Sequence, residues 1–379
     1  MRPASEAERR RLHHTFAALC AIPSPFGAEA AMGARVRDEL AAIGVAAGED
    51  DAAREAGAGC GNLLARLPSG RAERSILLCA HLDTVPVGGP LEPVFVDGGW
   101  ENAHDAILGA DNKAAVAVIL EVARRCAVEG APVGLELLFT VSEENALAGA
   151  KAFDTGALRS EWGYVFDHAS PIGEVIVAAP TYYRFAATFR GQSAHAGIRP
   201  EDGRSAIVAA ARAIAAMELG RLDEQTTANV ARIDGGGAGT NVVPDRCTVV
   251  GECRSLDGAR AEAVVAELVG HLHDGANTPA CACDVDVEVE KRFEGYRHRP
   301  QAPSVLAAEA ALRACGHEPR RRPTGGGSDA NALEAAGLPC TNLANGTERN
   351  HQPDERVSAA ALEGMFNVTL ALLDACADA

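Results

Sequence analysis

A chain of 379 residues exceeds one typical hydrophobic core, so two domains are expected, with a single large α/β domain as the alternative. Its 35 basic and 52 acidic residues leave a formal charge of −17, which argues against a nucleic-acid or anionic-membrane partner and favours a well-solvated cytosolic protein. The 11 cysteines are odd in number and none forms C-x-x-C, so they are expected to be reduced, mostly buried small hydrophobes.

The N-terminus is rich in Arg and Glu ahead of a short apolar segment at 16–22 and lacks the form of a secretory signal. No later run approaches the roughly 20 apolar residues of a membrane span, and the cytoplasm is the expected location. Residues 75–79 form a compact apolar run, 114–125 have helical character, and 135–141 are apolar again. This alternation predicts parallel strands linked by helical crossovers, hence an α/β class with a doubly wound, mainly parallel sheet. In open α/β sheets ligands bind beyond the carboxyl ends of the strands. His81 and Asp83 directly follow the first run, Glu143 and Glu144 follow the second, and Asp167 ends a third at 163–166.

From about residue 183 the pattern changes. A strand to 190, a helix at 206–217, strands at 229–233 and 246–254, a helix at 259–273 and a strand at 284–290 give a β-α-β-β-α-β order. That order predicts an inserted α+β, ferredoxin-like lid domain. Cys281 and Cys283 read as part of a strand there. Helical pattern resumes at 304–314 and 329–336, so the first domain is expected to be discontinuous, 1–178 with 295–379, around a lid at 179–294. The glycine-rich stretches 235–239 and 325–327 read as loops.

His81, Asp111, Glu144, Asp167 and His351 are of metal-binding type, and Asp83 and Glu143 sit beside members of that set. Together they make the donor inventory of a two-cation hydrolase: imidazoles, hard oxygens, a carboxylate able to bridge, and a separate base for the proton of the attacking water. Singly each has an ordinary explanation. Adjacent acids such as Glu143-Glu144 are usually a solvated loop, Asp111-Asn112 suits a helix cap, and a lone His351 is commonly a surface residue.

The stretches His81-Leu82-Asp83-Thr84-Val85, Leu108-Gly109-Ala110-Asp111-Asn112-Lys113, Thr140-Val141-Ser142-Glu143-Glu144 and Asn350-His351-Gln352-Pro353-Asp354-Glu355 resemble the dinuclear zinc aminoacylase/carboxypeptidase family of peptidases, the M20 family. Within it the chain looks most like the peptidase T-type tripeptide aminopeptidases. The likeness runs from about residue 16 to the last helix and includes the lid stretch Gly191-Gln192-Ser193-Ala194-His195-Ala196-Gly197.

The resemblance implies that Asp111 bridges two divalent metal ions, zinc with cobalt or manganese as alternatives. His81 and Asp167 would complete one site, with His168 a competitor for the place of Asp167, and Glu144 and His351 the other. Glu143 would be the general base, Asp83 would hydrogen-bond the His81 imidazole, and a cis peptide would follow Asp111. In the lid, His195 would stabilise the oxyanion, commonly in a partner subunit, while Asn241 and Arg254 would hold the substrate backbone and its terminal carboxylate. The Gly325-Gly326-Gly327-Ser328-Asp329 turn would serve both as a helix entry, with Ser328 or Asp329 as cap, and as a substrate loop, with Gly326 and Ser328 contacting substrate. The implied activity is metal-dependent hydrolysis of a peptide bond in small peptides by a peptidase T-like aminopeptidase, a homodimer formed through the lid that acts on a small peptide or N-acyl amino acid substrate. The alternatives are an N-acyl amino acid deacylase or carboxypeptidase of the same family and, in another class, a non-catalytic metal- or peptide-binding protein that has kept the fold.

Overall fold

The apolar runs of the first part form the strands Ser75–His81, Gly134–Thr140, Trp162–His168 and Cys340–Ala344. In the computed structural model, which describes residues 1–379, they are the parallel centre of a nine-stranded sheet, ordered Gly134–Thr140, Ser75–His81, Trp162–His168, Cys340–Ala344. Central parallel strands are covered on both faces, which is why they read as continuous apolar runs without alternation. The flanks turn antiparallel, through Leu63–Leu67 on one side and Glu174–Ala179 on the other. Two of the strand ends differ from the sequence expectation by a residue or two: His81 is the last residue of its strand, and Asp167 lies within its strand.

Helix Ala110–Glu129 packs on Ser75–His81 and against helices Glu6–Cys20 and Ala359–Ala377. Helix Glu6–Cys20 starts with a capping box, in which Ser5 accepts from the Glu8 main chain and Glu8 accepts from the Ser5 N–H at 2.7 Å. The same Glu8 carboxylate takes a forked pair from Arg125, with Nε and Nη2 each at 2.6 Å, so one buried ion pair ties the two helices together. Helix Ala359–Ala377 is apolar but interrupted. With 19 residues and a mean hydropathy of 1.3 it has the length and composition of a membrane span. Glu363, Asn367 and Asp374 break its apolar run, as the absence of a long apolar stretch in the sequence implies. Half of it is buried, with Leu362, Phe366, Leu370 and Leu373 inside the hydrophobic core.

The chain divides into two compact units, Met1–Ala178 with Arg297–Ala379, and Ala179–Tyr296. Within the first, a small antiparallel sheet of Thr347–Glu348, Arg356–Ser358, Gly99–Asn102 and Pro93–Val96 holds the ends of the loop that carries His351. The second unit has an antiparallel sheet ordered Gly220–Arg221, Thr226–Gly235, Arg246–Ser255, Thr181–Arg190, Asp284–Phe293. Helices Ala206–Ala216 and Gly258–Ala276 complete the β-α-β-β-α-β order, with the two-residue strand Gly220–Arg221 as an addition. Phe185, Ala187 and Phe189, at alternate positions of their strand, are fully buried with Ala209, Ala213, Leu268 and Leu272 of the helices. Cys281 and Cys283 precede the strand Asp284–Phe293 rather than lying on it, because the polar-apolar alternation that forms the strand begins only at Asp284. All 11 cysteines are free, and nine of them are buried.

Candidate metal centre

His81 is buried at the end of its strand. Its Nδ1 lies 3.0 Å from the main-chain carbonyl of Asp83 and 3.5 Å from that residue's Oδ1. A proton held on Nδ1 leaves Nε2 as the free donor. Nε2 faces Asp111 Oδ1 at 3.4 Å and Asp167 Oδ1 at 3.9 Å.

Asp111 sits at a kink near the start of helix Ala110–Glu129, with non-helical backbone at Asp111 and Asn112 and a cis peptide between them. Its second oxygen, Oδ2, faces His351 Nε2 at 3.4 Å, and the same imidazole nitrogen lies 2.8 Å from Glu144 Oε1. The two oxygens of one carboxylate thus face two different imidazoles. Donors each about 2.1 Å from one tetrahedral zinc stand about 3.4 Å apart, so the spacings suit shared cations. The structure groups His81, Asp111 and Asp167 within reach of one ion, and Asp111, Glu144 and His351 within reach of another; His81, Glu143 and Glu144 also form a group.

Glu143 and Glu144 occupy a tight loop after Gly134–Thr140. Ser142 has φ +50°, and the chain folds back so that Gly149 N–H donates to Val141 O at 3.1 Å. Gly149 is required there, since a Cβ would stand 2.1 Å from Val141 O. Three buried side chains, none of them grouped as a metal donor, hold this loop. The Asp83 carboxylate accepts the N–H of Glu143 at 2.9 Å and of Glu144 at 3.0 Å. Glu29 Oε1 accepts the N–H and hydroxyl of Ser142 at 3.2 and 3.0 Å. Asn62 Oδ1 accepts Val141 N–H at 3.1 Å. The expected contact of Asp83 with the His81 ring is made most closely by its carbonyl, and its carboxylate is bonded mainly to the loop of the two glutamates.

The electrostatics fit cations. Burial would lower the pKa of His81, but the carboxylates of Asp111 and Asp83 prevail and raise it well above the usual imidazole value. His351, beside Asp111 and Glu144, is pushed up to about 10. Burial would raise Asp111, yet His351 and His81 hold it well below the carboxylate range. Burial pushes Asp167 well up, and the negative charges of Asp111 and Glu143 add to this. Burial likewise raises Glu143, opposed by His81 and reinforced by Asp329 and Glu144. More acid is gathered here than two imidazoles can neutralise, and a buried surplus of carboxylate with imidazole donors is the pattern that divalent metal ions satisfy.

Asp111, Glu143, Glu144, Asp167, Gly326 and His351 are on the wall of a cavity of about 300 Å³, together with His168 and Asn350. His168 points Nδ1 at Ser170 Oγ, 2.8 Å away, and belongs to none of the donor groups. Ser328 is buried at the N-cap of helix Asp329–Ala335, its hydroxyl accepting from Asn342 Nδ2 at 3.2 Å, and it is absent from the cavity wall. The expected helix entry at Ser328 is thus present, and its side chain serves the fold. A larger cleft of about 800 Å³ near residues 43–50 and 64–70 contains none of the donors, so the donor set and not the volume locates the chemistry.

In the second unit, His195 and Asn241 lie on loops joined by main-chain bonds, Ala196 N–H to Asn241 O at 2.9 Å and Val243 N–H to Ala194 O at 2.9 Å. His195 is exposed, and its Nδ1 accepts from Gly197 N–H at 3.2 Å. Arg254 stacks on Tyr182, 4.2 Å from the ring centre, and donates to Glu252 at 3.0 Å.

Comparison with known proteins follows the same division. The M20-type peptidase dimerisation domain matches residues 181–278, and the peptidase family M28 model matches residues 62–168. The uncharacterized protein YqjE of Bacillus subtilis is 34% identical over 369 residues, covering 97% of this chain and 99% of that protein. The crystal structure of aminopeptidase PepT from Bacillus cereus is 36% identical with a TM-score of 0.88, covering 97% of this chain and 99% of that one. A tripeptidase from Staphylococcus aureus is 31% identical with a TM-score of 0.92, covering 98% and 99%. Peptidase T of Vibrio cholerae is 26% identical over 277 residues, 71% of this chain and 65% of that protein. The chain belongs to the M20 family of metallopeptidases, on its peptidase T-like side.

Proposed function

We propose that this M20 peptidase is a dinuclear metal-dependent aminopeptidase of small peptides, tripeptides among them. The relatives named above support the substrate class. The observation that carries the chemistry is the Asp111 carboxylate, with Oδ1 3.4 Å from His81 Nε2 and Oδ2 3.4 Å from His351 Nε2. Asp111 would be shared by two ions, His81 and Asp167 would complete one site, and Glu144 and His351 the other. Zinc fits the mixed imidazole and carboxylate donors, and cobalt or manganese fit them less tightly.

When bound, such ions lower the pKa of a coordinated water from 15.7 to about 7 and polarise the scissile carbonyl. The protein's own groups manage the proton. Glu143, next to Glu144 on a loop held by Asp83, accepts the proton of the attacking water on its carboxylate and returns it to the leaving amine nitrogen. Burial raises the Glu143 carboxyl, and the positive charge of bound ions would oppose this and favour the ionised form that accepts the proton. His195 would donate a hydrogen bond to the oxyanion, and Asn241, Arg254 and Gly326 would contact the peptide. The M20-type dimerisation match over residues 181–278 supports a homodimer through the second unit, and the free, mostly buried cysteines support a reducing, cytoplasmic setting.

The experiment is Glu143→Ala with its metal content measured. The expected variant keeps two ions per chain and loses at least about 10²-fold in kcat on a tripeptide. A metal-loaded variant turning over at the wild-type rate would overturn the assignment of the base.

A further inference from the structure

The bond set around Glu355 has no place in the proton transfer described above. Glu355 is 1% exposed. Its Oε2 accepts the Gly109 N–H at 2.7 Å and its Oε1 accepts the Asp111 N–H at 2.9 Å. A carboxyl group that accepts one main-chain N–H on each oxygen holds both donors at fixed positions. The forked geometry fixes the Leu108–Gly109 and Ala110–Asp111 peptide planes. Gly109 makes this approach possible: its φ of +74° lies in the left-handed region, and a Cβ there would meet Lys113 Nζ and Thr84 Cγ2 at 3.3 Å.

Glu355 belongs to the same loop as His351. Its own N–H donates to Gln352 O at 3.0 Å, and the loop is clamped at its ends by pairing of Thr347–Glu348 with Arg356–Ser358. From that loop Asn350 Nδ2 donates to Asp111 Oδ2 at 2.8 Å, and His351 Nε2 faces the same oxygen at 3.4 Å. One loop therefore holds Asp111 twice, by its main chain through Glu355 and by its side chain through Asn350 and His351.

We propose that Glu355 is a positioning residue for Asp111, holding the main chain so that Oδ1 is presented toward His81 and Oδ2 toward His351 before any cation arrives. The proposal rests on the reading of Asp111 as the carboxylate shared by two cations. A side chain that filled the space but offered one acceptor would leave one of the two N–H groups without its bond, and Asp111 would be free to turn one oxygen away from its imidazole.

The test is a titration of the chelated full-length protein with Co²⁺, read by visible absorption and calorimetry, for the wild type, Glu355→Gln and Asp111→Asn, with tripeptide kcat and KM measured in parallel. In Glu355→Gln the far-UV spectrum is unchanged, one Co²⁺ binds about ten- to a hundredfold more weakly, and the absorption bands of the bound metal shift. Its kcat falls while KM stays within about threefold of wild type. A Glu355→Gln protein that binds two Co²⁺ with wild-type affinities and spectrum, when Asp111→Asn has lost one, would overturn the positioning role alone. Two wild-type Co²⁺ sites in Asp111→Asn would overturn the shared-carboxylate reading and this proposal with it. Should Glu355→Gln not fold, the same titration on Glu355→Asp, which keeps the charge but has one methylene less reach, decides: weakened Co²⁺ binding supports the role and unchanged binding overturns it.

Discussion

The Asp83 carboxylate accepts the main-chain N–H of Glu143 at 2.9 Å through Oδ1, while Oδ2 accepts that of Glu144 at 3.0 Å. One side chain thereby sets the direction of two neighbouring carboxylates, one assigned to proton transfer and the other to metal binding. Asp83→Asn retains the shape but turns one acceptor into a donor facing an N–H. The expected result is a metal affinity about ten- to a hundredfold lower and a kcat at least tenfold lower, with the fold intact. Wild-type kinetics and metal content in this variant would show that the loop holds itself.

The two halves of the donor set are expected to separate on mutation. Asp167→Asn removes charge from the group with His81 and Asp111, and His351→Ala removes an imidazole from the group with Asp111 and Glu144. Each variant is expected to bind one tightly held ion per chain where the wild type binds two, measured by metal analysis after gel filtration. Two retained ions in the Asp167→Asn protein would point to His168, adjacent in the chain and on the same cavity wall, as the replacement donor.

Gly149→Ala tests the fold-back of the catalytic loop. The added methyl would lie 2.1 Å from Val141 O and near Asn62 Oδ1, so main chain must move. A loss of about 1–3 kcal/mol in urea unfolding is expected, together with weaker metal binding. Unchanged stability would mean that the loop relaxes freely.

Glu8 gives the fold an acid-sensitive contact. Burial would raise its carboxyl, but hydrogen bonds from Arg125 and Arg2 outweigh this and hold its pKa well below the usual carboxylate range. A carboxyl depressed in the folded state contributes stability that is fully present above its unfolded pKa of about 4.3 and is lost as pH falls below it. Glu8→Gln leaves the buried Arg125 without its counter-charge and is expected to destabilise by about 3–5 kcal/mol at neutral pH. In urea melts from pH 7 downward, the gap between wild type and variant should shrink with acid. A gap independent of pH would assign the loss to packing.

Arg254→Ala tests the second unit's part in substrate binding. The guanidinium lies over Tyr182 and against Glu252, where it could receive a peptide's terminal carboxylate. The expected change is a KM for free tripeptides about tenfold higher or more, with no change for the same peptides amidated at the C-terminus. Equal effects on both would remove Arg254 from carboxylate recognition.

The features legible in the sequence are those with a local period or a position relative to a strand. The central strands could be read because burial on both faces makes them continuously apolar, and the helices and alternating strands of the second unit could be read from their own repeats. His81, Glu143, Glu144 and Asp167 could be placed because they sit at or just past such runs. Glu29, Asn62 and Glu355 could not, since their partners are main-chain N–H groups 113, 79 and 244 residues away, and main-chain donors leave no mark in the sequence. Glu355 stood in view beside His351, but nothing local distinguished it from a solvated acid. Ser328 could be read as a helix cap from its place before Asp329, but its bond to Asn342, 14 residues on, could not, since only the fold brings the two near.

The central claim, a pair of divalent ions held by His81, Asp111, Glu144, Asp167 and His351 and needed for peptide hydrolysis, is tested most directly by metal analysis joined to a tripeptide assay before and after chelation. The account predicts two ions per chain, loss of hydrolysis when both are removed, and recovery on adding back zinc, cobalt or manganese. Full hydrolysis by protein verified to be free of metal would contradict it.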